Sequence, residues 1–143
     1  MCEKSIKYFP FLITIVSILI NFNNFFMGNT PTIYNLLTSI IFLLLWFLIS
    51  FFNGYYKNIV YKKIIFFYWF INIITSIFMI FTIKNDYDAI YLIPFSILYN
   101  CPTYGFRYLI SNNLYILILF TMPLGFIFSF SGYFLGIKKR GQN

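Results

Sequence analysis

Apolar residues run along this chain in four long blocks, from about Phe9 to Phe26, Ile33 to Phe52, Ile64 to Ile83 and Leu114 to Ile137. Each block is close to the roughly 20 residues, at about 1.5 Å rise per residue, that an α-helix needs to cross a hydrocarbon core about 30 Å thick. The pattern predicts an all-α integral membrane protein: one domain over residues 1–143, built as four antiparallel transmembrane helices. Lys7 and Pro10 stand at the start of the first block, where the missing proline N–H would have no helical partner anyway. A basic start before an apolar run also resembles a secretory signal. No small-x-small cleavage pattern precedes Asn29 and three further blocks follow, so the segment reads as a span.

The breaks between blocks differ in kind. Gly28 to Thr32, Gly-Asn-Thr-Pro-Thr, predicts a tight turn. Asn53 to Lys63 mixes glycine, lysines and tyrosines, a composition suited to a loop in the headgroup layer. Residues 84–113 form the one long connection, and the middle of it, Ile90 to Tyr99, is apolar but too short to cross. Runs of about 10–14 apolar residues are interfacial or re-entrant. Pro94 inside the run and tyrosines on both sides favour a short interfacial helix on the outer face between helices 3 and 4, with re-entry as the alternative. A full crossing would invert the last span and turn Lys138, Lys139 and Arg140 outward. Within that span Pro123 predicts a kink.

Composition narrows the class. The chain is 61% hydrophobic and 9% charged, against about 45–50% and 25% in a soluble domain, so no water-facing surface can be made from it. Its Phe, Ile, Tyr, Asn and Lys are residues of A/T-rich codons, which points to a low-GC bacterium and discounts part of the aromatic abundance. A net charge of +7 in a soluble protein would suggest nucleic acid, but here position explains it. Lys4, Lys7, Lys57, Lys62, Lys63, Lys138, Lys139 and Arg140 all fall on one side of the spans, the side that becomes cytoplasmic. Both termini are therefore expected inside a bacterial cytoplasmic membrane, with no nucleic-acid partner. Lys84 and Arg107 remain outside, together with Asp86 and Asp88. The same topology separates Cys2 from Cys101, and no C-x-x-C pair is present. Both cysteines read as incidental, Cys101 the more open to oxidation.

Four features carry possible chemistry. Gly125, Ser129, Gly132 and Gly136 share one face of the last span; such a face brings helices close together, either within the bundle or in a homo-oligomer or larger membrane complex. Thr14, Ser17, Asn21 and Asn24 on the first span, and Asn72, Thr75, Ser76 and Met79 on the third, are polar faces that could line a solute path or simply bond helices together. In the outer connection, Asp86, Asp88 and Arg107 lie with Tyr104 and Tyr108, a set able to grip an anionic headgroup or a peptide carboxylate. No Asp, Glu, Lys, Arg or His lies well inside a span, the usual mark of proton relays and coupled pumps. There is no histidine at all, and no phosphate loop, serine-nucleophile motif or metal-ligand spacing. No cofactor, metal or catalytic residue is expected.

These readings converge on a non-enzymatic binding or accessory protein, protecting against a membrane-active peptide or supporting an export complex. The competing expectation is a small oligomeric channel or carrier for a neutral solute. A lipid-directed enzyme using Asp86, Asp88 and Arg107 stands third.

Overall fold

The computed structural model describes residues 8–85, 90–110 and 114–142, which are helical or turn with no strand among the described residues. The helices are α1 (Phe9–Phe26), α2 (Ile33–Tyr55), α3 (Ile59–Lys84), α4 (Ile93–Tyr99) and α5 (Leu114–Arg140), with 3-10 turns at Ile90–Leu92 and Tyr104–Tyr108. Helices α1, α2, α3 and α5 each contain a stretch long and apolar enough to cross a membrane. The protein is an all-helical, multi-pass membrane chain.

α1 has the bounds its apolar block predicts, whereas α2 and α3 together consume most of the expected loop from Asn53 to Lys63 and leave Tyr56–Asn58 between them. Composition suggested a loop; local hydrogen bonding explains the helix. The Asn53 amide donates to Ile49 O at 2.9 Å, and the Asn58 amide donates to Asn53 Oδ1 at 3.1 Å. Asn58 Oδ1 in turn accepts the Tyr61 N–H at 3.1 Å, capping α3 at its start. Lys57, at φ 53°, makes the reversal between the two helices. At the other end, Gly28 takes φ 65° in the predicted turn, and Asn35 Oδ1 accepts from both the N–H and the hydroxyl of Thr32 at 2.9 and 2.8 Å. Pro123 lies inside α5 without ending it.

α2 is the hub. Its most extensive interface is with α5, and it also packs on α1 and on the Tyr104–Tyr108 turn; the backbone of its sequence neighbour α3 stays farther off, packing on α5 and meeting α2 through large side chains. The core is aromatic. Trp46 and Trp69 are fully buried with ring centroids 5.4 Å apart, and Tyr68 lies 4.8 Å from Trp46. Small hydroxyls fill the closest crossings, with Ser39, Ser50, Ser76 and Ser129 all buried. Phe52, Phe66, Phe67, Phe78 and Phe81 are exposed, as residues facing lipid should be. The fold is thus held by packing and short interhelical hydrogen bonds, the forces that remain when lipid is as apolar as the side chains.

The connection between α3 and α5 departs most from expectation. Ser96 and every residue from Tyr99 to Phe106 are buried, whereas Ile90, Tyr91, Ile93, Phe95 and Leu98 are exposed. Pro94 falls in the first turn of α4, where it starts the helix instead of interrupting it. Cys101, expected to be open to oxidation, is fully buried. Sγ lies 3.7 Å from Ile18 O on α1.

Candidate functional site

Residues 100–108 pass between α1 and α2 because two serines and a glycine make room and supply bonds. Ser39 Oγ on α2 donates to Pro102 O at 2.9 Å and accepts the Gly105 N–H at 3.0 Å, while Ser17 Oγ on α1 reaches the same Pro102 carbonyl at 3.4 Å. Proline before this turn removes one donor that would need a partner, and Ser39 satisfies the next exposed pair. Gly105 lies so close to the backbone of Asn35 and Leu36 that a Cβ there would overlap it. Asn100 closes the other side, its amide donating to Ser96 Oγ at 3.3 Å and lying 3.6 Å from Met79 Sδ on α3.

This anchoring fixes the cationic end of the connection. The Tyr104 hydroxyl donates to Asn29 O in the α1–α2 turn, and the Tyr104 ring packs edge-on against Phe25 at 5.6 Å. Burial raises the Tyr104 pKa, while the charge of Arg107 and a hydrogen bond from it act in the opposite direction. The Arg107 guanidinium sits 6.0 Å from the Tyr104 ring centroid, within range of a cation–π contact. Tyr108 and Leu109 beside it are exposed. The structure therefore brings Arg107 and Tyr104 into contact and leaves Tyr108 on the surface. Asp86 and Asp88 lie outside the described residues.

The small-residue face of α5 is filled by the chain's own helices. Gly125 lies against the Trp69 indole of α3, Gly132 against Phe47 and Ser50, and Gly136 against the backbone of Phe51 and Tyr55. Ser129 Oγ accepts the Trp69 Nε1 proton at 2.9 Å and donates to Gly125 O at 2.8 Å. Gly54 reciprocates from α2, abutting the Tyr133 backbone.

Much of the two polar faces is bonded within the bundle, although the Asn21 amide nitrogen is buried without a partner. On α1, Thr14 donates to Pro10 O at 2.8 Å, Ser17 holds Pro102, and Asn21 Oδ1 accepts from the Asn35 amide at 2.8 Å. Asn24 donates to Asn35 Oδ1 at 3.0 Å. On α3, Ser76 donates to Asn72 Oδ1 at 3.1 Å and Thr75 bonds back to Ile71 O at 2.9 Å. Thr14, Ser17, Asn21, Asn72 and Ser76 are all buried. Sequence reading passed over Asn35 and Ser39, the residues that tie the α1–α2 turn and the α4–α5 connection together. Their i, i+4 spacing on α2 was the available signal, hidden within the most apolar block. No known protein family, curated protein or solved structure matches the chain.

Proposed function

We propose that this is a non-enzymatic binding protein of a bacterial cytoplasmic membrane. Its four spans run antiparallel with both termini cytoplasmic, and the outer connection dips into the bilayer and presents Arg107 at the outer surface. Ser39 lies six residues from the start of α2, about 9 Å along the axis, and Ser17 lies nine residues from the end of α1, about 13 Å. A Pro102 carbonyl bonded to both therefore sits well below the outer helix ends, in a core about 30 Å thick. Irregular backbone is tolerated at that depth when protein buries and satisfies it, which supports re-entry over an interfacial position.

The observation that carries the functional reading is the held cation: Arg107 over Tyr104, on a turn pinned to Ser17, Ser39 and Asn29. A guanidinium fixed beside exposed Tyr108 and Leu109 suits an amphiphile with an acidic group, such as the terminal carboxylate of a membrane-active peptide. Protection against such a peptide, or support of an export complex that handles one, is the role this favours. The polar faces of α1 and α3, bonded internally, do not favour a solute path.

The test is survival of cells challenged with membrane-active peptides, comparing the protein with Arg107→Ala, Arg107→Lys and Asp88→Asn at matched surface levels. Loss of protection in Arg107→Ala, partly restored by Arg107→Lys, supports the reading. Undiminished protection in Arg107→Ala overturns it, and loss of solute flux in Asn72→Leu would favour a carrier.

A further inference from the structure

At the far end of the molecule from Arg107, α2 and α5 enclose a groove of ≈ 430 Å³ lined by Phe47, Phe51, Leu135, Lys138, Lys139 and Gln142. The close seam at Gly132 and Gly136 draws the last turn of α5 onto α2. The lysines consequently overhang the two phenylalanines, with Lys139 Nζ 5.9 Å from the Phe51 ring centroid. Arg140 is turned away to donate to Tyr55 O at 3.3 Å, which braces the turn. One wall is apolar and faces the acyl region; the rim carries two ammonium groups and a primary amide.

Among the described residues no side-chain carboxylate faces these charges. All three acidic residues of the chain are Glu3, Asp86 and Asp88, so no side-chain carboxylate occurs among the described residues and none stands on α2 or α5. The described part of the bundle offers Lys138 and Lys139 no counter-charge, which leaves the groove open to an anion from outside. At the cytoplasmic boundary of a bilayer the abundant anion is a phospholipid headgroup, and basic pockets between membrane helices are where such headgroups are held.

We propose that this groove is a binding site for an anionic phospholipid of the cytoplasmic leaflet. Its phosphate lies between Lys138 and Lys139, the Gln142 amide donates to a phosphate or glycerol oxygen, and an acyl chain lies along Phe47, Phe51 and Leu135. The site is independent of the outer one: either can fail without the other.

Native mass spectrometry of the detergent-purified full chain, titrated with phosphatidylglycerol or phosphatidylcholine of identical acyl chains, reads the proposal directly. Two lysines near the surface are expected to favour the anionic lipid by about thirtyfold. Lys138→Gln/Lys139→Gln should erase that preference, whereas Lys62→Gln/Lys63→Gln, with the same change in charge, should keep it. Because Lys138 and Lys139 also guide insertion, Leu135→Trp provides a second variant: it fills the groove with the lysines intact and should reduce retention of both lipids. Equal retention of the two lipids by the wild-type chain, equal loss in both lysine pairs, or unchanged retention in Leu135→Trp would each overturn the site. Displacement of bound phosphatidylglycerol by inorganic phosphate would also overturn it, by assigning the lysines to free anion instead of lipid.

Discussion

Replacing Ser39 by alanine tests the joint on which the connection between α3 and α5 hangs. The serine hydroxyl makes two bonds at once, to Pro102 O and from Gly105 N–H, and it is fully buried. Its loss leaves the Pro102 carbonyl with Ser17 and leaves the Gly105 N–H without its acceptor. An unsatisfied buried donor costs about 1–3 kcal/mol, while interhelical hydrogen bonds in membranes average about 0.6 kcal/mol and reach about 1.7. The orphaned N–H puts Ser39→Ala near the upper membrane figure, about 1.4 kcal/mol, or tenfold in the population of the opened connection. Ser17→Ala removes only the longer of two bonds to a carbonyl that keeps its other donor, and should change that population by less than about twofold. Cys101 supplies the readout, because it is buried only while the connection is docked. In a Cys2→Ser background in detergent micelles, the maleimide labelling rate of Cys101 tracks the open population when reclosing outpaces reaction. Ser39→Ala should accelerate labelling about tenfold and Ser17→Ala hardly at all. Equal rates in the two variants, or wild-type labelling as fast as in the SDS-unfolded chain, would refute the reasoning.

Three further outcomes follow from the packing. Gly105→Ala must move the Asn35–Leu36 backbone, so the thermal midpoint should fall by the equivalent of about 3 kcal/mol, the upper end of overpacking costs, with Cys101 exposed to label. Gly136→Val should push α5 off the Phe51 backbone and lower monomer stability, measured by unfolding in micelles; a change in oligomeric state at unchanged stability would show that the seam lies between molecules. Acrylamide, an aqueous quencher, should leave the fluorescence of the micelle-bound protein nearly unchanged, since Trp46 and Trp69 are both enclosed; strong quenching would contradict the aromatic core.

The spans were legible because a hydrocarbon solvent imposes a length and a composition together, and the Phe9–Phe26 block shows both with a polar break at each end. The α2–α3 boundary was less so: Asn53, Asn58, Lys62 and Lys63 look like loop, and only the side-chain bonds of Asn53 and Asn58 to Ile49, Asn53 and Tyr61 reveal the helix ends. The connection was the least legible part. Asn-Cys-Pro-Thr-Tyr-Gly reads as a polar outer loop, and nothing local indicates that Ser17 and Ser39, more than 60 residues away, will accept it. The candidate site divides along the same line. Arg107 and Tyr104 are neighbours in sequence and remain so in space, but the surfaces that hold them are distant pairings that a composition cannot display.

The largest seam in the molecule joins α2 to α5, the second span to the last. During synthesis α2 enters the membrane with its Phe47 and Gly54 face bare, and α3, the next helix to arrive, meets α2 at Trp46 and Ser50 but leaves the Gly54 notch to Tyr133 of α5. The nascent chain must hold an open flank through two further spans' worth of translation, and the seam closes only when α5 has been delivered. An insertase or chaperone that shields a small, notched helix face would therefore matter more to this chain than to a bundle assembled hairpin by hairpin, and late truncations should be cleared by proteolysis far more readily than their size suggests.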